Sequence, residues 1–421
     1  MLENPAQRPH SFQTMSTPAS PAKRVNLRTP DVMAAVQAQV ESHYRSEVVE
    51  KLRATGGTLT CDGLTVRLAK QFGFCYGVER AIDLAYAAAK VFTDRRLFIL
   101  GEIIHNPEVN EQIAALGIKN LIPPHQQADV EDLTAEDVVI VPAFGTDVKT
   151  LGRIKELGCQ IVDTTCGDVM SVWKRVRQNA SDDVTSIIHG KATHEETKAT
   201  ASRAVVAGRG HYLIVLTLAD TDYVCDFIRR GGDKVAFLEK FHGAYSEGFD
   251  PALHLRRVGV ANQTTMMRGE TEEVQRRIEA AIKERDGAEK ARESFRFFDT
   301  ICGATQERQD ALRDMLAAPM DLLIVVGGYN SSNTAHLAEM GEGKLPTYFI
   351  RNATRLESRE RVTHFDQHAK REVTTEGWLP DRPLSVGITA GASCPNNLIE
   401  ETILRLYELH GVGAGRLLGV G

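Results

Sequence analysis

The sequence Ile161-Val-Asp-Thr-Thr-Cys166-Gly recurs in outline as Phe297-Phe-Asp-Thr-Ile-Cys302-Gly, and this echo decides the predicted fold. Both copies place an apolar pair, Asp-Thr, a cysteine and a glycine in the same order. A third strand-like run, Leu64-Thr-Val-Arg-Leu68, leads to Gly73-Phe-Cys75. We therefore predict three related modules, each of which offers one cysteine from a strand-to-helix loop.

Short β-branched runs, each followed by a small-residue loop and a helical stretch, recur from Leu64 onward. Examples begin at Val138, Thr185, Leu322 and Leu384. Such runs between helical patterns indicate βα units and parallel sheets, so the predicted fold class is α/β. Parallel sheets bind ligands at the carboxyl ends of their strands, where helix N-termini also point. The candidate functional residues all lie in loops of this kind.

The predicted organisation is an N-terminal part followed by three modules. Residues 1–63 combine a tail with a helical extension. Within this part, the composition of residues 1–30 favours a mobile tail over an organelle transit peptide. The apolar pattern from Asp31 to about Ala54 predicts a helix. The modules span residues 64–165 with Cys75, residues 166–301 with Cys166, and residues 302–421 with Cys302.

The composition is that of a globular protein. The chain has 421 residues, of which 42% are hydrophobic and 25% are charged, so it is too long for one ordinary core and too apolar for wholesale disorder. A net charge of −6 gives no broad electrostatic attraction for nucleic acid. Since the apolar runs are far too short to cross a bilayer, we expect neither a nucleic-acid nor a membrane partner.

The chain has seven cysteines and no C-x-x-C pair, which argues against a secreted disulfide framework. Three converging thiolates could hold an iron–sulfur cluster or a zinc ion, but zinc sites favour paired short spacings. A four-iron cluster normally takes four cysteines, so three would leave one iron open to water or substrate. Three buried thiols beside phosphate loops explain the spacing equally well.

Several strand-end loops carry residues that suit a phosphate group. His194 and Glu196 stand where a helix begins, a position at which a histidine and a carboxylate can bind phosphate and transfer a proton. The near match to H-E-x-x-H fails because Lys198 replaces the second histidine, so a zinc protease is excluded. Uncharged or weakly basic donors follow other strands, and each could also be an ordinary helix cap or loop residue: His105, Thr264, Ser331, Ser332, Asn333 and Ser393.

Together, these motifs resemble the 4-hydroxy-3-methylbut-2-enyl diphosphate reductase family, which catalyses the last step of the methylerythritol phosphate route to isoprenoids. The resemblance extends from about Leu64 to Leu409. Its carriers, in chain order, are Gly73-Phe-Cys75-Tyr-Gly-Val-Glu-Arg-Ala, Ile104-His105-Asn, Asp163-Thr-Thr-Cys166, His194-Glu-Glu196, Gln263-Thr264-Thr265, Thr300-Ile-Cys302, Asn330-Ser-Ser-Asn333 and Thr389-Ala-Gly-Ala-Ser393.

The resemblance implies a trefoil of three αβ modules around a [4Fe-4S] cluster. It implies that Cys75, Cys166 and Cys302 ligate the cluster, and that Glu196 supplies protons near the hydroxymethyl end of the substrate, with Thr264 beside it. The side chains that it implies for the substrate diphosphate are those of His105, His194, Ser331, Ser332, Asn333 and Ser393.

The activity implied by the resemblance is a two-electron, two-proton removal of a hydroxyl group. It yields isopentenyl or dimethylallyl diphosphate and draws electrons from a low-potential donor such as ferredoxin or flavodoxin. Two alternatives remain open at this point: an iron–sulfur hydro-lyase acting on a small phosphorylated substrate, and a non-catalytic iron–sulfur carrier.

The sequence departs from the family pattern in three places. Many members have a histidine in the loop that holds Phe144 here, and phenylalanine cannot donate a hydrogen bond to phosphate. The N-terminal extension and the wide gap between Cys166 and Cys302 resemble the longer plant and cyanobacterial-type branch. We therefore expect a cytoplasmic protein, or one of the plastid stroma if the basic N-terminal tail is a transit peptide.

Overall fold

The computed structural model describes residues 26–413 and residue 417. Residues 1–25, which hold most of the segment predicted as a tail or transit peptide, lie outside the described residues, so that prediction remains untested. No helix among the described residues combines the length and the apolar character that crossing a membrane requires.

The elements up to the second cysteine loop and its helix come first in the chain. They are α1 (Pro30–Tyr44), α2 (Glu47–Ala54), β1 (Thr58–Cys61), β2 (Leu64–Leu68), α3 (Tyr76–Val91), β3 (Leu97–Ile99), α4 (Pro107–Ala115), β4 (Lys119–Asn120), a 3-10 turn (Val130–Asp132), β5 (Val138–Val141), α5 (Val148–Glu156), β6 (Gln160–Asp163) and α6 (Gly167–Ser181).

The central elements lead from α6 to the third cysteine loop. They are β7 (Thr185–His189), α7 (Glu195–Ala201), β8 (Tyr212–Val215), α8 (Leu218–Arg230), α9 (Lys234–Lys240), α10 (Pro251–His254), β9 (Val258–Asn262), α11 (Arg268–Asp286), α12 (Ala288–Ser294) and β10 (Phe295–Phe297). The last elements are α13 (Gly303–Met315), β11 (Leu322–Val326), α14 (Ser332–Glu342), β12 (Thr347–Ile350), a 3-10 turn (Ala353–Arg355), β13 (Arg361–Asp366), β14 (Arg371–Glu376), β15 (Leu384–Ala390) and α15 (Asn396–Leu409).

Three sheets repeat one parallel arrangement. Their strand orders are β4-β3-β5-β6, β8-β7-β9-β10 and β12-β11-β15-β2, with β1 added antiparallel outside β2. The first two sheets have the order 2-1-3-4 by position in the chain, and the third sheet matches them when β2 is counted as its last strand. The remaining pair, β13 and β14, forms a separate antiparallel hairpin.

The middle strands are buried on both faces, which explains their unbroken apolar sequences. Val138 and Ile140 of β5 pack in one core with α3, whereas Val139 and Val141 pack in another core with Ile154 of α5. Helices on both faces are the usual setting of parallel strands. The α/β class with three related parallel-sheet modules, predicted from the sequence, is therefore confirmed.

One strand does not follow the predicted module boundaries. Residues 64–68, predicted to belong to the first module, pair with β15 in the sheet of the third module, in a register that joins Leu64 to Leu384 and Leu68 to Ile388. The strand before Cys75 therefore closes the third sheet, just as the strands before Cys166 and Cys302 close the first and second. Strand β2, near the start of the chain, thus belongs to a sheet whose other parallel strands, β11, β12 and β15, lie near its end.

The N-terminal extension is two helices rather than the single one predicted between Asp31 and Ala54. The break falls between α1 and α2, where Ser46 has an extended backbone and accepts a hydrogen bond from the Val49 N–H at 2.9 Å. A serine with this geometry is a helix N-cap, which starts a new helix. Helix α1 buries Val36 and Tyr44 against the core that contains α3.

Candidate active site

The three predicted cysteine ligands occupy equivalent positions in the three sheets. Each follows the last strand of its sheet and is the N-cap residue of the next helix. In each case the backbone N–H of the cysteine donates to a carbonyl in the loop after the third strand of the same sheet. These bonds run from Cys166 to Ala143 at 2.8 Å, from Cys302 to Thr264 at 3.1 Å and from Cys75 to Ala392 at 3.2 Å.

The surroundings of the cysteines fit a metal centre with three thiolate ligands. All three cysteines line one cavity. Gly77 makes room between two of them, because a Cβ atom there would lie 2.7 Å from the Cys166 Sγ and 3.9 Å from the Cys75 Sγ. Burial raises the pKa of Cys166 and brings that of Cys302 to about 12, so binding a metal ion would have to displace thiol protons.

The other described cysteines do not line this cavity. Cys159, Cys225 and Cys394 are buried in hydrophobic cores, and half-buried Cys61 packs against one. Their positions agree with the expectation that they are structural.

Glu196 lies at the carboxyl end of β7, in the first turn of α7, and is completely enclosed. Its two carboxylate oxygens accept hydrogen bonds from Thr264, one from the backbone N–H at 2.6 Å and one from the side-chain hydroxyl at 2.9 Å. Burial raises the pKa of Glu196 to about 7, although the bonds from Thr264 oppose this shift. A carboxyl group with this pKa can give up a proton at neutral pH.

His194 presents a neutral N–H group to the cavity. Its Nδ1 accepts a hydrogen bond from the Glu196 backbone N–H at 3.2 Å, which places the ring proton on Nε2. Burial lowers the pKa of His194 well below its usual value, so the ring stays uncharged. The Nε2 atom is buried and makes no hydrogen bond with any residue that the structure describes.

Phe144 has a different role from the histidine that it replaces. Its ring stacks on that of His105, with centroids 4.6 Å apart and planes inclined by 10°. On the other side, the Nδ1 of His105 lies 3.1 Å from the Glu102 carboxylate. These two contacts orient the imidazole, whose centroid lies 5.0 Å from that of the His194 ring. Its buried Nε2 atom makes no hydrogen bond with the described residues and lies 3.9 Å from the Glu195 carboxylate. Phe144 therefore contributes a ring contact that orients His105.

The third sheet contributes a network of neutral hydroxyl and amide groups. Ser331 caps α14 and lies 3.4 Å from the Ser393 hydroxyl, which itself donates to the His105 carbonyl at 3.1 Å. The Asn333 Oδ1 accepts from the Ala392 N–H at 2.9 Å, which leaves its buried Nδ2 without a partner. Ser332 accepts a hydrogen bond from the Gln263 side chain at 3.1 Å.

The structure brings all the predicted site residues to one place. The same cavity is lined by Cys75, His105, Cys166, His194, Glu196, Thr264, Cys302, Ser331, Ser332, Asn333 and Ser393. Three buried nitrogens here, those of His105, His194 and Asn333, make no hydrogen bond with the described residues. Because buried polar groups normally form hydrogen bonds, three such nitrogens beside one cavity are the arrangement that a polar ligand would satisfy.

Sequence reasoning assigned no role to several residues in or beside this cavity. Gln263 links two loops, since its Oε1 accepts from the Thr197 hydroxyl at 3.0 Å and its Nε2 donates to the Thr265 hydroxyl at 2.8 Å. Asp168 and Thr305 line the cavity from the first turns of α6 and α13. Asp168 and Thr305 lie two and three residues after a candidate cysteine ligand, and this closeness in sequence is the signal by which they could have been found.

Comparison with known proteins agrees with this geometry. Residues 66–407 match the family model described as LytB protein. The chain belongs to the LytB family. A protein of Gloeobacter violaceus named 4-hydroxy-3-methylbut-2-enyl diphosphate reductase is 47% identical over 92% of this chain and 93% of its own length. A protein of the same name from Thermosynechococcus vestitus is 45% identical over 90% and 92% of the two chains. The predicted family resemblance is confirmed.

Two solved structures resemble this LytB-family chain in fold. One is (E)-4-hydroxy-3-methyl-but-2-enyl diphosphate reductase, described as the terminal enzyme of the non-mevalonate pathway. It is 26% identical, with a TM-score of 0.50, over 82% of this chain and 99% of its own. The other, a diphosphate reductase from Plasmodium falciparum, covers 82% and 90% of the two chains with a TM-score of 0.59. Its 20% identity supports the fold alone.

Proposed function

We propose that this LytB-family chain is a 4-hydroxy-3-methylbut-2-enyl diphosphate reductase that produces isopentenyl and dimethylallyl diphosphate. The observation that carries the proposal is one cavity in which three cysteines, a buried carboxyl group and three unpaired N–H or ring nitrogen atoms meet. The substrate has the matching parts: an allylic hydroxyl group to be reduced and a diphosphate to be held.

The diphosphate would be bound by neutral donors together with His105. The Nε2–H of His194 and the Nδ2–H of Asn333 are already directed by their own hydrogen bonds. Ser331, Ser332 and Ser393 add hydroxyl groups from the ends of β11 and β15. Hydrogen bonds to a charged group contribute about 1.5–3 kcal/mol each, so several of them hold a diphosphate without a lysine.

The proton for the product would come from Glu196. The overall reaction consumes two electrons and two protons, breaks the C–O bond, forms one C–H bond and releases water. Glu196 is mostly protonated below about pH 7, and Thr264 holds both of its oxygens in place. A carboxyl group fixed in this way can protonate the leaving hydroxyl or the allylic carbon without reorganisation.

Cys75, Cys166 and Cys302 are the residues that would hold the cofactor. A [4Fe-4S] cluster bound by these three thiolates supplies single electrons and a Lewis-acidic iron without a protein ligand. We expect a low-potential protein such as ferredoxin or flavodoxin to be the electron donor. The relatives from cyanobacteria favour a cytoplasmic enzyme.

The test is an anaerobic assay of the purified protein. We expect about four irons and four sulfides per chain and conversion of the substrate only when a low-potential reductant is supplied. Cys225→Ser, which changes a buried cysteine remote from the cavity, is the matched control and should retain both properties. Turnover without reductant would instead identify a hydro-lyase, and a loaded protein without turnover would identify a carrier.

A further inference from the structure

Arg308 is a buried cation between two of the proposed cluster ligands. It lies in α13, the helix that Cys302 caps, and only 3% of it is exposed. Its guanidinium crosses to the loop of the first cysteine, where Nε donates to the Gly73 carbonyl at 3.2 Å and Nη2 to the Phe74 carbonyl at 3.1 Å. These carbonyls belong to the two residues that precede Cys75.

Arg308 forms no hydrogen bond with a carboxylate of the described chain. Among the described residues, it makes hydrogen bonds only to carbonyl oxygens, the remaining one being that of Ala304 at 2.8 Å. Burial lowers the pKa of Arg308, and the sulfurs of Cys75 and Cys302 oppose this effect more than the carboxylates of Glu307 and Glu79 do. A charge this far from water normally requires an opposite charge or an equivalent partner.

The other buried arginine of this region shows what such a partner looks like. Arg203 is 2% exposed and also donates to carbonyl oxygens, but its guanidinium lies 3.3 Å from the centre of the Trp173 ring. The face of an aromatic ring stabilises a buried cation. No ring contact of this kind is formed by Arg308 in the part of the chain that the structure describes, so its charge is stabilised by backbone carbonyls and by the negative groups around it.

We propose that Arg308 is the counter-ion of the Cys75 and Cys302 thiolates and the residue that positions the Cys75 loop against the third module. The inference rests on the proposed function, since the metal centre that these thiolates would bind is part of it. Arg308 then has two roles. Its charge offsets the negative charge of the metal centre, and its planar guanidinium group donates hydrogen bonds to two consecutive carbonyls of the loop.

The first consequence concerns iron retention. Arg308→Gln removes both the charge and the guanidinium group that bonds two carbonyls. We expect this variant, loaded anaerobically, to lose iron to a chelator about 10–100-fold faster than the unchanged protein, which is the usual effect of losing a group that supports metal ligands. Arg308→Lys keeps the charge but cannot span two carbonyls, so its rate of iron loss should fall between those of Arg308→Gln and the unchanged protein.

The second consequence concerns the reduction potential, which a merely structural role would not move. Reduction adds negative charge to the centre, so loss of the neighbouring positive charge should disfavour it. In Arg308→Gln we expect the ratio of reduced to oxidised cluster at a fixed potential to fall about tenfold, equivalent to a midpoint potential about 59 mV more negative. Arg308→Lys should keep the potential of the unchanged protein.

The control is Arg203→Gln, which removes a buried guanidinium that contacts no cysteine. It should lower thermal stability and leave the potential unchanged. The proposal is overturned if Arg308→Gln keeps the original potential, or if Arg308→Lys shifts it as far as Arg308→Gln does. Failure of the proposed function would be distinguishable, because then the unchanged protein itself would bind no iron–sulfur cluster.

Discussion

The second and third sheets have the same strand order but carry different chemistry at the same two loops. In the second sheet, the loops after β7 and β9 supply a buried carboxyl group and the threonine that holds it, Glu196 and Thr264. In the third sheet, the equivalent loops after β11 and β15 supply neutral donors, among them Asn333 and Ser393. The shared topology fixes where side chains meet, and the loop sequences decide which groups each loop supplies: an acidic carboxyl group beside His194 in the second sheet, and only neutral donors in the third.

The first sheet shows a third use of the same positions. Its loop after β3 supplies His105, and its loop after β5 supplies Phe144, which stacks on that histidine. All six loops follow the two central strands of a sheet, between which the strand order reverses. Ligands of α/β proteins bind at such switch points. The cysteines, in contrast, follow the last strand of each sheet.

The largest expected effect comes from removing the centre that all three sheets share. Cys302→Ser should strip or destabilise the cluster and abolish turnover, because only three protein thiolates are available to hold it. Iron and sulfide analysis together with the reductase assay measure this. Cys225→Ser is the control, and a fully loaded, active Cys302→Ser protein would contradict the assignment of the ligands.

The next effect isolates the second sheet. Glu196→Gln keeps the shape of the side chain but has no acidic proton, so kcat should fall by about 10²–10⁴. The cluster content and the substrate Kd should stay close to those of the unchanged protein. Steady-state kinetics and a binding titration check both expectations. A normal kcat with saturating reductant would mean that protons reach the substrate from another group.

The matching change in the third sheet should affect binding instead. Asn333→Ala removes one unpaired N–H donor from the cavity and should weaken substrate binding by roughly 1–3 kcal/mol, the range for one hydrogen bond to a charged group. Turnover at saturating substrate should change little. Thr221→Ala, a buried hydroxyl of α8 bonded within its own helix, is the control. Unchanged substrate binding in Asn333→Ala would mean that this loop serves only to cap its helix.

The smallest effect tests the first sheet. Phe144→Leu removes the ring that stacks on His105 while keeping an apolar side chain. Since aromatic pairs contribute about 0.5–1.5 kcal/mol beyond the burial of their area, KM should rise by a few-fold and kcat should change little. A wild-type KM would show that Glu102 alone is sufficient to orient the imidazole.

Much of this arrangement could be predicted from the sequence because it depends on local patterns. The echo around Cys166 and Cys302 marks repeated strand-to-helix loops, and βα units determine that such loops meet at one end of a sheet. What could not be predicted depends on pairing between distant segments. The sheet that β2 joins is set by β15, more than three hundred residues later, and the Arg308 guanidinium reaches a carbonyl 235 residues earlier in the chain. The stacking of Phe144 on His105 is likewise a relation in space that spacing does not show.

The most direct test of the contrast between the second and third sheets is the pH dependence of a single turnover. The enzyme would be saturated with substrate and supplied with excess low-potential reductant, because one turnover consumes two electrons and the cluster transfers them one at a time. Burial raises the pKa of Glu196 to about 7, so its proton is present below that pH and lost above it. The rate should therefore be highest on the acidic side and fall as the pH rises through about 7. Asn333→Ala should keep this fall, and in Glu196→Gln it should disappear together with most of the rate. The same alkaline fall in Glu196→Gln would contradict the assignment of proton delivery to the second sheet.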